Sequence, residues 1–210
     1  MLSKRRSAPS RGCCSISLIT EIKGQTRRRL RQCRKGIGGQ RRTSAQHRVA
    51  ERLLAWSFDT SPAVIGVYAA LGSEVSVDGA ADAWLRRGHR LVWPRVLEEG
   101  VLSFHFAEPE LLEPGCMGIR EPSLDAPVAE VGDIDLLILP GLGFDRFGGR
   151  LGQGGGYYDR FLSHPAFRAQ TVGVAFAVQV LPRLQLTQTD RRVDAVLTEQ
   201  GVAQDGIWSL

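Results

Sequence analysis

Residues 135–161 read DLLILPGLGFDRFGGRLGQGGGYYDRF, and their reading decides the fold. Asp135–Leu139 is a short, continuous apolar run closed by Pro140, the pattern of a strand buried on both faces. From Leu139 to Phe161, eight of 23 residues are glycine, yet the stretch also holds two Asp, three Arg and two adjacent Tyr. A flexible linker has no need of those charges and rings, and a packed element does not tolerate so many glycines. A glycine-rich loop directly after a buried strand lies where open α/β sheets gather their ligand sites.

Working outward, further apolar runs bracket this one. Ala63–Ala70 (AVIGVYAA), Arg90–Trp93 (RLVW, stopped by Pro94), Val101–Phe106, Thr171–Ala177 and Ala195–Thr198 read as strands. Between them lie helical patterns: a basic one from Thr26 to about Gln40, an amphipathic one over Thr43–Trp56, Val77–Arg87 ended by Gly88, and about Gly156–Ser163. Strands alternating with helices predict a single-domain α/β fold, an open Rossmann-like sandwich with a largely parallel central sheet flanked by helices.

The 210 residues, 43% of them hydrophobic, suffice for one sizeable core. Charge is unevenly spread. Residues 1–52 hold 15 of the 27 Lys and Arg but only two acids, Glu21 and Glu51, so that segment is +13 and the remainder −8. Residues 1–24, rich in Arg and Ser and weak in periodicity, resemble an organelle import signal only faintly. They read as a disordered basic leader before a domain over 25–210. No apolar run approaches about 20 residues, so no membrane partner is expected. Cys13, Cys14, Cys33 and Cys116 form no CxxC, which reads as reduced thiols in a cytoplasmic protein. The basic front segment suits phosphate, but no RRM, KH or helix-turn-helix signature accompanies it, so no nucleic-acid partner is expected.

Successive backbone N–H groups of a glycine loop form an anion-binding nest, and glycine lets them approach a ligand closely. GRLGQGGGYYD with Arg150 reads as a phosphate cradle; it is neither a Walker A loop nor a GxGxxG fingerprint. Asp159 closes the loop, where a bare carboxylate would repel phosphate. Two readings stand there: a Mg²⁺ ligand, with Asp190 or Asp194 as the second, or a carboxylate at a helix start.

The whole stretch PGLGFDRFGGRLGQGGGYYDRFL resembles the signature of the 5-formyltetrahydrofolate cyclo-ligase family. RRRLRQ (27–32), VYAALGSEVSV (67–77), LVWPRV (91–96), GIREP (118–122) and TDRRVDAVLTE (189–199) resemble further family segments in order. The resemblance covers about residues 26–200. It implies an enzyme that uses ATP and Mg²⁺ to close 5-formyltetrahydrofolate, free or polyglutamylated, to 5,10-methenyltetrahydrofolate, releasing ADP and phosphate. By position it implies ATP contacts from Arg27, Arg31, Arg150, Leu151, Gly152, Gln153, Gly154, Gly155, Gly156, Tyr157 and Tyr158. It implies folate contacts from Ala69, Glu74 and Met117 together with Gln153, Gly154, Gly155, Gly156 and Tyr157, and Mg²⁺ ligation by Asp159 and Asp190. Departures are visible. Arg27 stands where Lys is usual, Met117 where an aromatic is frequent, and LQLTQTD replaces a Pro, Glu and His pattern ahead of Asp190. That last departure leaves open a second reading, a nucleotide-binding paralogue with another substrate or a regulatory role.

Overall fold

The apolar runs assemble into one eight-stranded sheet. The computed structural model describes residues 11–56, 62–115 and 118–210, with side chains from Leu18 onward except at position 99. Two helices come first, α1 (Arg11–Lys35) and α2 (Gly39–Leu54). Next are β1 (Val64–Gly66), α3 (Asp78–Arg86), β2 (Arg90–Val96) and β3 (Leu102–Phe106). A small hairpin follows, β4 (Glu113–Pro114) with β5 (Arg120–Glu121), and then the central strand β6 (Leu136–Pro140). The glycine stretch contributes β7 (Gly143–Asp145), β8 (Arg150–Leu151) and α4 (Tyr157–Leu162). The chain ends with β9 (Gln170–Val174), β10 (Val180–Leu181), β11 (Ala195–Thr198), β12 (Gly201–Gln204) and β13 (Ile207–Ser209).

The strand order is β13-β12-β11-β9-β6-β1-β2-β3. β2, β1, β6, β9 and β11 run parallel, and β3 and the β12–β13 hairpin add antiparallel edges. The largely parallel sheet expected from the sequence is present. Side-chain alternation divides the core in two. Leu136 and Ile138 pack with Val49 and Leu53 of α2 and Trp84 of α3, whereas Leu137 and Leu139 pack with Phe104, Phe144 and Phe161 on the opposite face.

Four expectations need correction. Pro94 does not stop β2, which runs on to Val96. The Val92 carbonyl accepts from Val67 N–H at 3.0 Å, so Pro94, two residues on, turns the same way after β1 has ended at Gly66. Its missing donor therefore faces no strand. The glycine stretch is not one loop, because β7 and β8 pair antiparallel and β10 pairs with β7. The terminal β12–β13 hairpin, with its turn at Asp205 and Gly206, had no clear alternation to announce it. Lastly, residues 11–24, read as part of a leader, form the first half of α1, and Thr20 and Lys23 face the cavity described below. One continuous helix carries them there, and the sequence alone did not show what that basic face would meet. Residues 1–10 lie outside the described residues. Among the described residues no helix is long and apolar enough to cross a membrane, and Cys33 is a free, exposed thiol.

Candidate functional site

The first half of the glycine stretch packs against its own protein. Phe144, fully buried, fills the space over the sheet. Gly143 lets α1 settle on the loop, since a Cβ there would lie 2.4 Å from Leu30 Cδ1. Gly148 has φ +78°, and a Cβ on it would lie 2.0 Å from the Val193 carbonyl oxygen; its own carbonyl accepts from Val193 N–H at 2.9 Å. Asp145, 1% exposed, closes the turn: Oδ1 accepts from Phe147 and Gly149 N–H at 2.9 Å, and Oδ2 accepts from Leu184 N–H at 2.8 Å. These contacts make the loop a fixed platform and tie it to the segment that carries Asp190.

The second half of the stretch faces a row of cations. Lys23, Arg27, Arg31 and Arg34 recur at helical spacing along α1. Arg27 Nε donates to the Gly152 carbonyl at 2.9 Å, and Arg31 donates to Gln153 Oε1 at 2.7 Å. Arg34 donates to Ser73 Oγ at 3.0 Å and to Glu74 Oε1 at 3.3 Å, and Leu71 N–H donates to Glu74 Oε2 at 3.1 Å. Arg160 bridges the Gly155 and Gly100 carbonyls at 2.9 and 2.7 Å.

Both acids read as metal candidates line the same cavity, and each is held. Asp159 Oδ1 pairs with Arg150 at 3.0 Å and accepts from Arg191 N–H at 3.1 Å. Asp190 Oδ2 accepts from Lys23 Nζ and from the N–H and hydroxyl of Thr187, the latter at 2.8 Å. Thr187 belongs to LQLTQTD, so the segment that departs from the family pattern itself supports Asp190. Burial alone would push the Asp190 carboxyl up, but the hydrogen bonds from Lys23 and Thr187 outweigh it and hold the carboxyl below its ordinary value. Asp194 turns elsewhere, to Thr171. Burial raises the Tyr158 hydroxyl well above its ordinary value, against the opposing charge of Arg150 and with a smaller push from Glu74, so the phenol stays protonated at neutral pH.

These groups surround a cavity of about 1110 Å³ at the carboxyl ends of β1, β2 and β6. Its lining includes the charged Lys23, Arg27, Arg150, Asp159 and Asp190 together with the glycine turn. The lining also includes the apolar Ala69, Pro94, Val96, Leu102 and Ile119. Of the residues singled out from the sequence, Arg27, Ala69, Glu74, Arg150 to Tyr158, Asp159 and Asp190 all line it. Arg31 does not line it but holds Gln153, which does. Met117 lies outside the described residues. Sequence reasoning missed Lys23, Glu121, Thr187 and Arg191. Lys23 carried a signal, its position one turn before Arg27; the others are brought in by tertiary folding.

Fold and site together define an α/β protein of the open-sheet class with a large cavity, lined by a glycine turn, cations and carboxylates, at the carboxyl ends of its strands. A model of the 5-formyltetrahydrofolate cyclo-ligase family matches residues 19–199, and the chain belongs to that family. The 5-formyltetrahydrofolate cyclo-ligase of Mycolicibacterium smegmatis is 31% identical over 157 residues, covering 71% of this chain and 81% of that protein. The mouse 5-formyltetrahydrofolate cyclo-ligase is 40% identical over 95 residues, covering 43% of this chain and 44% of that protein. Among solved structures, Aquifex aeolicus 5,10-methenyltetrahydrofolate synthetase superposes with a TM-score of 0.77 at 29% identity, over 88% of this chain and 93% of that one.

Proposed function

We propose that this cavity closes 5-formyltetrahydrofolate to 5,10-methenyltetrahydrofolate at the expense of ATP, with its glycine turn and cations taking the triphosphate and its apolar lining residues the pterin. Membership of the cyclo-ligase family supports the reaction. The single observation that carries the assignment is that the glycine turn, Arg27, Arg150, Asp159 and Asp190 line the same cavity as Ala69, Pro94, Val96, Leu102 and Ile119. In the proposed chemistry the formyl oxygen attacks the γ-phosphorus and ADP leaves. The side-arm nitrogen N10 then attacks the activated formyl carbon, and the imidate oxygen departs with the phosphate. Phosphoryl transfer asks a protein mainly for positioning and charge stabilisation.

Arg27 and Arg150 neutralise phosphate charge, and the backbone of Gly152 to Gly156 offers donors to phosphate oxygens. Arg31 acts at the rim, by fixing Gln153. Glu74, held by Arg34, and Ala69 border the pterin, with Tyr157 across the cavity. Tyr158, kept protonated, lines the cavity without adding a charge to it.

Mg²⁺ fits the donor set. Asp159 and Asp190 line the phosphate side and each engages its protein partners through one oxygen, and Mg²⁺ is typically held by one or two carboxylates together with substrate phosphates. When bound it would neutralise charge on the transferring phosphoryl group. The protein's own residues do the rest: Arg150 orients Asp159, and Lys23 and Thr187 orient Asp190.

The test is absorbance at the methenyl product's band, with 5-formyltetrahydrofolate, ATP and Mg²⁺ each omitted in turn. Product is expected only with all three present. Product formed without ATP, or none with the full mixture, defeats the proposal.

A further inference from the structure

Tyr157 opens α4, and its ring is wedged between two glycines. A Cβ on Gly155 would lie 2.4 Å from Tyr157 Cε2, and a Cβ on Gly100 would lie 3.3 Å from Cε1, on the other edge. Gly155 belongs to the glycine turn, whereas Gly100, with φ +74°, lies in the turn between β2 and β3. Arg160 spans the same three groups. Its guanidinium carbon lies 5.3 Å from the Tyr157 ring centroid, and Nη1 and Nη2 donate to the Gly155 and Gly100 carbonyls at 2.9 and 2.7 Å. Side chains on a helix lean toward its N-terminus, so a residue three positions after Tyr157 covers the turn that begins α4. Among the described residues no carboxylate pairs with Arg160, and no hydrogen bond engages the Tyr157 hydroxyl. Tyr157 and Arg160 both line the cavity, as do Val96 and Leu102, which flank the Gly100 turn.

We infer that Arg160 is a positioning residue: by clasping the glycine turn to the β2–β3 turn, it fixes the Tyr157 ring that the folate packs on. The inference rests on the proposed function. A guanidinium suits the task. It is planar, so it stacks on the ring while its two Nη groups reach carbonyls of separate segments. An ammonium is a point charge on a flexible stem and does not hold both carbonyls and the ring together. A ring held in place before the substrate arrives loses little freedom on binding, which strengthens the affinity without a new contact.

The test measures Michaelis constants for 5-formyltetrahydrofolate and for ATP, together with thermal melts. The chains compared are the unaltered one, Arg160→Met, Arg160→Lys, Tyr157→Leu, and Tyr157→Leu combined with Arg160→Met. Methionine keeps an apolar body over the ring and removes both donors. Arg160→Met is expected to raise the folate constant about fivefold or more. The ATP constant should change less than about twofold, because Arg27 still holds the glycine turn at Gly152. The melting temperature should barely move, because Arg160 is exposed. Arg160→Lys should recover only part of the folate loss. Once Tyr157→Leu has removed the ring, Arg160→Met should add less than about twofold to the folate constant. If Arg160→Met does not fold, Arg160→Lys still decides, since its folate constant is expected to exceed that of the unaltered chain. An unchanged folate constant, full recovery with Arg160→Lys, equal losses for folate and ATP, or additive effects in the double variant overturn the inference while leaving the reaction standing. An unaltered chain that forms no methenyl product from 5-formyltetrahydrofolate overturns the proposed function and the inference with it.

Discussion

Arg150 and Asp159 are joined by a 3.0 Å ion pair on the wall of the cavity, and the Arg150 side chain is 3% exposed. The acid that closes the glycine turn therefore has an internal partner as well as a place on the phosphate side. Asp159→Asn removes the charge and keeps the size. Turnover is expected to fall at least about 100-fold, with any residual activity requiring more Mg²⁺. Stability is expected to fall as well, by about 1–3 kcal/mol, because buried Arg150 loses its counter-charge. Steady-state rates across a Mg²⁺ series and a thermal melt check both. An active variant with unchanged Mg²⁺ dependence would remove Asp159 from the metal site.

Arg27 reaches the Gly152 carbonyl from inside the cavity, whereas Arg31 holds exposed Gln153 at the rim. Arg27→Ala is expected to raise the Michaelis constant for ATP about tenfold or more, and Arg31→Ala distinctly less. Neither should change the folate constant comparably. Equal effects of the two substitutions on ATP would contradict the geometry.

Lys23 donates to Asp190 from a position 167 residues earlier in the chain. Lys23→Met is expected to lower the melting temperature at neutral pH and to weaken activity, and removal of residues 1–24 should do both. The folded Asp190 carboxyl lies below its unfolded value, so its contribution is present above that value and lost as the pH falls through the folded one. The difference in melting temperature between the two proteins should hold steady down to about pH 5. It should shrink as the pH passes below the unfolded aspartate value of about 3.9. A difference that grows toward acid pH would show that the pair does not stabilise the fold through this carboxylate.

Gly143 admits Leu30, and Leu30 positions the helix that carries Arg27. Gly143→Ala is expected to cost about 1–3 kcal/mol through overpacking and to raise the Michaelis constant for ATP. Adding Leu30→Ala should recover part of the stability lost in Gly143→Ala, because the two side chains compete for one space. Simple additivity in thermal melts would refute that competition.

Much of this protein was legible in its sequence. The apolar run ahead of Pro140 and its neighbours determined a parallel α/β sheet, because strands buried on both faces need no polar alternation. The spacing from Arg150 to Asp159 placed a glycine turn, a cation and a carboxylate together, because those residues are local and the turn follows directly from a strand. What the glycines approach was decided only by the tertiary structure. Gly143 and Gly148 meet Leu30 and the Val193 carbonyl, 113 and 45 residues away, and no local pattern encodes such distances. The same holds for Lys23 beside Asp190 and for Glu121 in the cavity. A lysine in a basic stretch and a glutamate in a short hairpin look solvated until the sheet, α1 and the glycine platform close around them, since burial and pairing are properties of the packed chain and not of its local sequence.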